Sequence, residues 1–180
     1  MNKTRHGNVA LIGLSLLLMA QIGYVALRRS NAPPPVAVRF VTEGDALDGL
    51  LIEEDGRAWA PFQEGDAASP TIFLVFHSEC AHCDLVAEAW RTWLAGPHHG
   101  VRVYAVSREE LPAARAYAKK HAWDVDVSRL PDDAGPEGRS LLMRTPWLVL
   151  TDGAGVVRFQ GHGSRLEELD IALATLTRDG

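Results

Sequence analysis

The chain begins with a long uncharged run that predicts a membrane-spanning helix. No residue from Val9 to Leu27 carries a formal charge. A helix of this length rises about 28 Å, which is close to the hydrocarbon thickness of a bilayer. Basic residues flank the run on both sides, and no clear small-x-small cleavage site follows it. We therefore expect residues 1–29 to form an uncleaved transmembrane anchor, with a cleaved signal peptide or a buried soluble helix as the alternatives.

The next segment predicts a short spacer in front of one folded domain. Three consecutive prolines at positions 33–35 cannot continue a helix and favour an extended backbone. We expect residues 30–37 to form a Pro-rich linker and residues 38–180 to form the domain. Over residues 36–70, short apolar patches alternate with Asp, Glu and Gly clusters, a pattern typical of hairpin strands.

The domain then alternates between strand and helix patterns. Residues 71–76 form a continuous β-branched and aromatic run, as in a central strand that is buried on both faces. Apolar positions recur at helical spacing beyond it until Gly96 and Pro97. The remaining pattern predicts a strand at 101–106, a helix at 109–121, a short helix ending at Met143, hairpin strands at 147–150 and 156–160, and a last helix opened by a capping box of Ser164 and Glu167. This order predicts a three-layer α/β domain with a mixed central sheet flanked by helices.

Composition and charge narrow the class of protein. With 180 residues, 47% of them apolar, the chain can form one domain core and an appendage. Two cysteines are too few for a disulfide-stapled mini-protein. Residues 40–180 carry 13 Lys and Arg against all 23 Asp and Glu, so the domain would repel nucleic acid.

The two cysteines occupy the junction between the buried strand and the helix after it. Cys80 would lie at the helix N-terminus, where unpaired backbone N–H groups and the helix dipole stabilise a thiolate. Cys83 would lie one helical turn further on, close enough to form a disulfide and to reopen it by exchange. This placement predicts a redox-active pair, with inert core thiols or a permanent disulfide as the alternatives.

Three features together resemble the thioredoxin fold. They are the order of elements, the Cys-Ala-His-Cys motif at residues 80–83 after a hydrophobic strand, and the Thr-Pro pair at 145–146 directly before the next strand. With its N-terminal anchor, the hairpin extension at 36–70 and the stretch 149–161, the chain is similar to the membrane-tethered TlpA/ResA branch, and within it to MauD-like proteins of methylamine utilisation. The resemblance covers roughly residues 38–178.

The resemblance implies a role for each of four residues. Cys80 would be the exposed nucleophile, Cys83 the buried resolving thiol, and Pro146 a cis-proline that faces the disulfide. A cis-proline withholds an N–H and, with Thr145, helps to present neighbouring backbone groups to an extended client peptide. The implied activity is that of a thiol-disulfide oxidoreductase, an enzyme that requires no bound cofactor and no metal.

The chain departs from the pattern of the family in three respects. Glu79 stands where many relatives have Trp, and its carboxylate would disfavour a thiolate at Cys80. Leu74 replaces the buried acid that often serves the resolving thiol, so water or another group must carry that proton. Residues 81–82 match neither reducing thioredoxins nor strong oxidants, and a protonated His82 would lower the pKa of the Cys80 thiol. Because Glu79 and His82 act in opposite directions, the direction of exchange stays open.

The resulting hypothesis is a single-pass protein of the inner (cytoplasmic) membrane with its catalytic domain in the periplasm or another extracytoplasmic space. The family implies clients that carry a disulfide or a dithiol, in maturation of cytochrome c, of an oxidase copper site or of a dehydrogenase. It also implies a membrane thiol-electron donor or acceptor that resets the cysteines. A copper or metal chaperone is the alternative, since His77, Cys80, His82 and Cys83 supply suitable ligands, although their convergence requires a rearranged loop. A non-enzymatic assembly factor is a further alternative.

Overall fold

The computed structural model of the protein describes residues 17–24, 39–62, 69–98, 100–131 and 134–179. The chain divides into two units, residues 1–37 and residues 38–180. Residues 17–24 of the first unit are helical, and no helix in the described ranges is long and apolar enough to cross a bilayer. The other residues of the predicted anchor, and the whole predicted linker, lie outside the described residues.

In the second unit, the described residues form one seven-stranded mixed sheet with helices packed against it. The elements in chain order are β1 (Ile52–Glu54), β2 (Arg57–Trp59), β3 (Thr71–Val75), α1 (Ala81–Leu94), β4 (Arg102–Ser107), α2 (Leu111–Lys120), β5 (Asp126–Arg129), α3 (Gly135–Leu141), β6 (Trp147–Thr151), β7 (Val157–His162) and α4 (Leu166–Asp179). The strands lie in the order β2-β1-β5-β4-β3-β6-β7. The pairs β3–β4 and β4–β5 are parallel, and the other pairs are antiparallel. The predicted mixed sheet is confirmed.

Strand β3 is a central strand with two apolar faces. All five of its residues are buried, and alternate side chains enter different cores because a strand has a side-chain period of two. On one face, Ile72 and Leu74 pack with side chains of α1, α2 and α4. On the other face, Phe73 and Val75 pack with α3 and with apolar residues of the segment 41–62. The domain therefore has the three layers that the sequence predicts.

The predicted hairpin extension is formed by β1 and β2. Asp55 and Gly56 make the turn with φ angles of 48° and 76°. Two left-handed residues in a two-residue turn match the twist of the flanking strands, and this favours Asp-Gly there. Strand β1 also pairs with β5, with Glu53 opposite Arg129, so the hairpin continues the main sheet.

Strand β5 has no counterpart among the predicted elements. Its sequence is Asp-Val-Ser-Arg, in which Val127 is the only apolar residue. It pairs with β4 in parallel and with β1 in antiparallel fashion, and both partners are distant in the chain. The apolar pattern of these four residues is too weak to predict a strand. The strand is stabilised by its pairing with β1 and β4.

Two local expectations are wrong. Helix α4 begins two residues after Ser164, whose hydroxyl lies 2.9 Å from Nδ1 of His162, so Ser164 does not cap the helix directly. Two apolar residues at helical spacing within the predicted helices, Leu85 and Ile171, are expected to face the core but are 79% and 62% exposed. The neighbouring Val86 and Leu169 occupy the core instead.

Candidate active site

The candidate site is built where β3 ends and α1 begins. Cys80 has an extended backbone, with φ −88° and ψ 107°, and caps the first turn of α1. Its carbonyl accepts the N–H groups of Cys83 at 2.8 Å and Asp84 at 3.3 Å, while its own N–H donates to the His77 carbonyl at 3.0 Å. The structure thus places Cys80 at the helix N-terminus, as the sequence predicts.

The Cys80 side chain lies between solvent and the loop before β6. Its Sγ donates to the carbonyl oxygen of Thr145 at 3.5 Å. Partial burial raises the pKa of the Cys80 thiol, but hydrogen bonding by the Thr145 side chain, by the Cys83 thiol, and by the N–H groups of Cys83 and His82 outweighs burial. The net pKa of Cys80 is below its ordinary value, which favours a thiolate nucleophile.

Cys83 has the opposite environment. Its side chain is fully buried in the core between α1 and the sheet. Burial raises the pKa of the Cys83 thiol to about 12, and the negative charge of a Cys80 thiolate adds to that effect. Both cysteines are free thiols. The pair therefore combines one accessible sulfur that ionises readily with one enclosed sulfur that holds its proton.

Thr145, the first residue of the predicted substrate-binding pair, meets the Cys80 sulfur through its backbone carbonyl. The peptide bond between Thr145 and Pro146 is cis. Strand β6 starts at the next residue, Trp147, which pairs with Val75 at the end of β3. The Pro146 carbonyl accepts the N–H of Gly163 at 3.1 Å. These contacts connect the Thr145 carbonyl, which meets Cys80, to the middle of the sheet.

Glu79 and His82, the residues predicted to tune the pKa of Cys80, are both exposed. The N–H of Glu79 donates to Nδ1 of His77 at 3.2 Å. His82 acts on the Cys80 thiol through its backbone N–H. Tuning by the Glu79 carboxylate and the His82 imidazole stays a prediction. Within the described ranges, no three His, Cys, Asp or Glu side chains are placed to hold a metal ion.

Glu109 is a residue of the site that the sequence analysis does not identify. Its carboxylate accepts a hydrogen bond from the Ser78 hydroxyl and another from the Ser78 N–H at 2.7 Å. It also accepts the Ser107 hydroxyl at 3.1 Å. The sequence does contain a signal for Glu109: it directly follows β4, a parallel neighbour of β3. The carboxyl ends of parallel neighbouring strands meet at one edge of the sheet, so Glu109 is expected near Cys80.

A cavity of about 330 Å³ opens beside these residues. It is lined by the ends of β3 and β4 and by the loop before β6: Phe76, His77, Arg108, Glu109, Leu142 and Thr145. The cavity shares Thr145 with the sulfur site and His77 with the turn that leads to Cys80. The cavity therefore borders the turn that leads to Cys80, although neither cysteine is among its lining residues.

Comparison with known proteins gives similarity in structure but not in sequence. No family model matches the chain, and no curated protein matches it. Solved structures do match. A protein described as the thiol:disulfide interchange protein DsbE from Chlorobium tepidum superposes with a TM-score of 0.58 at 17% identity, over 76% of this chain and 98% of that one.

Two further solved structures agree with this match. DsbF of MTB, in mixed oxidized and reduced forms, has a TM-score of 0.55 at 19% identity, over 73% of this chain and 98% of that one. A thioredoxin-like protein from Porphyromonas gingivalis has a TM-score of 0.53 at 18% identity, over 78% and 97% of the two chains. These likenesses show that the domain has the thioredoxin fold.

Proposed function

We propose that the protein is a membrane-tethered thiol-disulfide oxidoreductase that exchanges disulfides with extracytoplasmic client proteins. The observation that carries the proposal is the contrast between its two thiols. The pKa of Cys80 is lowered at a helix N-terminus, whereas burial raises the pKa of Cys83 to about 12. In such a pair, one defined sulfur attacks the substrate, and the other stays protonated until the second exchange. The similarity to a solved thiol:disulfide interchange protein, DsbE, and to DsbF in mixed oxidized and reduced forms supports the same activity class.

The reducing reaction proceeds in two exchanges. The Cys80 thiolate attacks one sulfur of a client disulfide, the client S–S bond breaks, and its second sulfur leaves as a thiolate that takes a proton from water. The product is a mixed disulfide between Cys80 and the client. Cys83 then loses its proton and attacks Sγ of Cys80, and the first client sulfur leaves as a thiolate. The client gains two electrons, the cysteine pair becomes a disulfide, and the oxidising reaction is the reverse.

The mixed disulfide itself prepares Cys83 for the second exchange. Burial is the main reason for its high pKa, but the charge and hydrogen bonding of Cys80 contribute in the same direction. Once Cys80 is bonded to the client it carries no charge, so that contribution disappears and the pKa of Cys83 falls. Position 74, where many relatives have a buried acid, is occupied by Leu74, which is fully buried and cannot accept the proton. Water that enters with the client is the acceptor we propose.

We further propose that Thr145 and Pro146 bind the client backbone next to Cys80. The clients are proteins that carry a disulfide or a dithiol, of the cytochrome c, oxidase copper-site or dehydrogenase maturation type. A membrane thiol-electron donor or acceptor resets the cysteines, and the chemistry needs no bound cofactor. The uncharged run at residues 9–27 and its basic flanks support a single-pass anchor, with residues 30–37 as linker and the domain in the periplasm.

Trapping variants test the enzymatic proposal directly. We expect Cys83→Ser to accumulate mixed disulfides with clients, because the second exchange is blocked, and we expect Cys80→Ser to form none. The dithiol couple of the parent protein should equilibrate with a glutathione or dithiothreitol redox buffer. If the Cys80–Cys83 pair could not be oxidised and reduced reversibly, the proposed enzymatic role would be refuted. A Cys80→Ser/Cys83→Ser protein that still supports its client would refute it as well. Stoichiometric copper binding that Cys80→Ser and His82→Ala both abolish, without exchange activity, would instead favour the metal chaperone.

A further inference from the structure

The carboxylate of Glu109 is enclosed at the base of the turn that carries the nucleophile. Its side chain is only 13% exposed. The two oxygens divide the contacts: one accepts the Ser78 hydroxyl, and the other accepts the Ser78 N–H at 2.7 Å and the Ser107 hydroxyl at 3.1 Å. The N–H of Glu109 in turn donates to the Ser107 hydroxyl at 3.2 Å. One side chain thus joins the end of β4 to the residue two positions before Cys80.

A buried carboxylate persists in a fold only where hydrogen bonds compensate for its lost hydration. Burial raises the pKa of Glu109, but hydrogen bonds from the Ser78 hydroxyl and N–H and from the Ser107 hydroxyl act in the opposite direction, and the net pKa is below its usual value. Glu109 is therefore ionised at neutral pH. Hydrogen bonds to an ionised acceptor are roughly twice as strong as neutral ones, so Ser78 is held firmly.

The turn that Glu109 holds determines where the Cys80 sulfur lies. His77 and Cys80 close this turn through the bond from the Cys80 N–H to the His77 carbonyl. Nδ1 of His77 accepts the Glu79 N–H at 3.2 Å and lies 4.0 Å from Glu109. Ser78 lies inside the turn, and its N–H and its hydroxyl both donate to Glu109. A shift of Ser78 would therefore move Cys80 relative to Thr145 and to the first N–H groups of α1.

We infer that Glu109 is a positioning residue for the nucleophile: through Ser78 it fixes the turn that holds the Cys80 sulfur against Thr145 and the helix N-terminus. The inference deepens the proposed function and rests on it for its meaning in catalysis. Its own evidence is the enclosed carboxylate and its contacts, which are independent of any client. Glu109 does not touch the reacting sulfurs and acts only through the turn.

The test is the pH dependence of Cys80 alkylation in the full chain with Glu109→Gln. Glutamine is neutral and has one acceptor oxygen instead of two, so one serine hydroxyl loses its acceptor and the remaining hydrogen bonds lose their charge assistance. A loosened turn weakens the hydrogen bonds that stabilise the thiolate, and we expect the pKa of Cys80 to rise and alkylation at pH 7 to slow about three- to tenfold. A pure charge effect has the opposite sign, because removal of a nearby carboxylate lowers a thiol pKa. The direction of the shift therefore separates the two explanations.

Glu110→Gln is the matched control. Glu110 is the next residue, its side chain is 78% exposed, and it faces Arg129 at 3.3 Å, away from Ser78. We expect this variant to alkylate at the parental rate. Ser78→Ala should reproduce part of the Glu109→Gln effect, and the double variant should show less than the sum, since both changes remove the same hydrogen bond. Ser78→Ala also serves as the test if Glu109→Gln does not fold.

An unchanged or lowered pKa of Cys80 in Glu109→Gln, or an equal change in Glu110→Gln, would overturn the inference. Additive effects of Ser78→Ala and Glu109→Gln would do the same. The readout is alkylation and requires no client. A protein that never exchanges disulfides would therefore refute the proposed function while leaving the positioning of Cys80 measurable.

Discussion

Single side chains set the chemistry of this domain, and the two thiols should differ sharply in reactivity. We expect iodoacetamide to modify Cys80 at neutral pH and to leave Cys83 unmodified until the protein unfolds. The rate at Cys80 should rise with pH and level off above its pKa, with a midpoint below the value of about 8.5 for an ordinary cysteine. The physical reason is the hydrogen bonding that stabilises the Cys80 thiolate, in contrast with the burial of Cys83.

Peptide mass spectrometry over a pH series measures both rates in one sample, and alkylation in denaturant gives the reference for each cysteine. Equal labelling of the two cysteines in the folded protein would contradict the asymmetry. A midpoint at or above the ordinary value would contradict the stabilised thiolate. Either result would remove the observation on which the proposed function depends.

The residues of the site that the sequence predicts are those with a local signal. Cys80 and Cys83 are separated by one helical turn, and Thr145 and Pro146 are adjacent and precede a strand, so short motifs identify them. Glu109 bonds to Ser78, which lies 31 positions earlier in the chain. No local pattern links these two residues, and only the pairing of β3 with β4 brings them together.

Helix α1 and the start of β6 pack closely against Gly163, the residue that follows β7. A Cβ at this position would lie 2.8 Å from Cβ of Pro146 and 2.8 Å from Cζ2 of Trp90. The Gly163 carbonyl accepts the Trp90 indole N–H at 2.7 Å, so α1, β6 and β7 all converge there. We expect Gly163→Ala to lower the free energy of unfolding by about 1–3 kcal/mol, as overpacking does. We also expect it to change the alkylation rate of Cys80, because Pro146 must move.

Denaturant unfolding and alkylation measure the two effects. Gly49→Ala is the control, since a Cβ there meets Glu137 Cδ at an ordinary 3.6 Å. The control should unfold close to the parental midpoint. If Gly163→Ala matched the parent in both measurements, the convergence of α1, β6 and β7 would not constrain Pro146.

Strands with strong local patterns were predictable, and the weakly patterned one was not. Strand β3 is a continuous apolar run and was identified with its burial on both faces. Strand β5 has one apolar residue in four, and its stability comes from pairing with β1 and β4. The start of α4 was misplaced for a related reason: Ser164 has the capping sequence, but its hydroxyl is engaged by His162.

The stability of the domain depends strongly on the segment before β3, although the sequence predicts this segment only as an extension. Val41, Leu47, Leu50, Ile52 and Phe62 are all buried in the core on the second face of the sheet. Burial of an apolar side chain contributes about 1.5–3 kcal/mol, so the five together contribute about 8–15 kcal/mol. That is comparable to the entire stability of a typical domain, about 5–15 kcal/mol. The hairpin segment is therefore part of the domain core.

Truncations at two positions separate folding from membrane attachment. A fragment of residues 38–180 retains all five of these side chains, so we expect it to keep the cooperative unfolding and the Cys80 alkylation midpoint of the full chain. A fragment of residues 71–180 begins at β3 and lacks them, so we expect it not to fold. Circular dichroism in denaturant measures both.

After expression in a bacterial host, the full chain should sediment with membranes, whereas 38–180 should stay in the supernatant because it lacks the proposed anchor. Cooperative unfolding of 71–180 would show that the hairpin segment is dispensable, and a full chain found only in the supernatant would refute the tether without affecting the thiol chemistry.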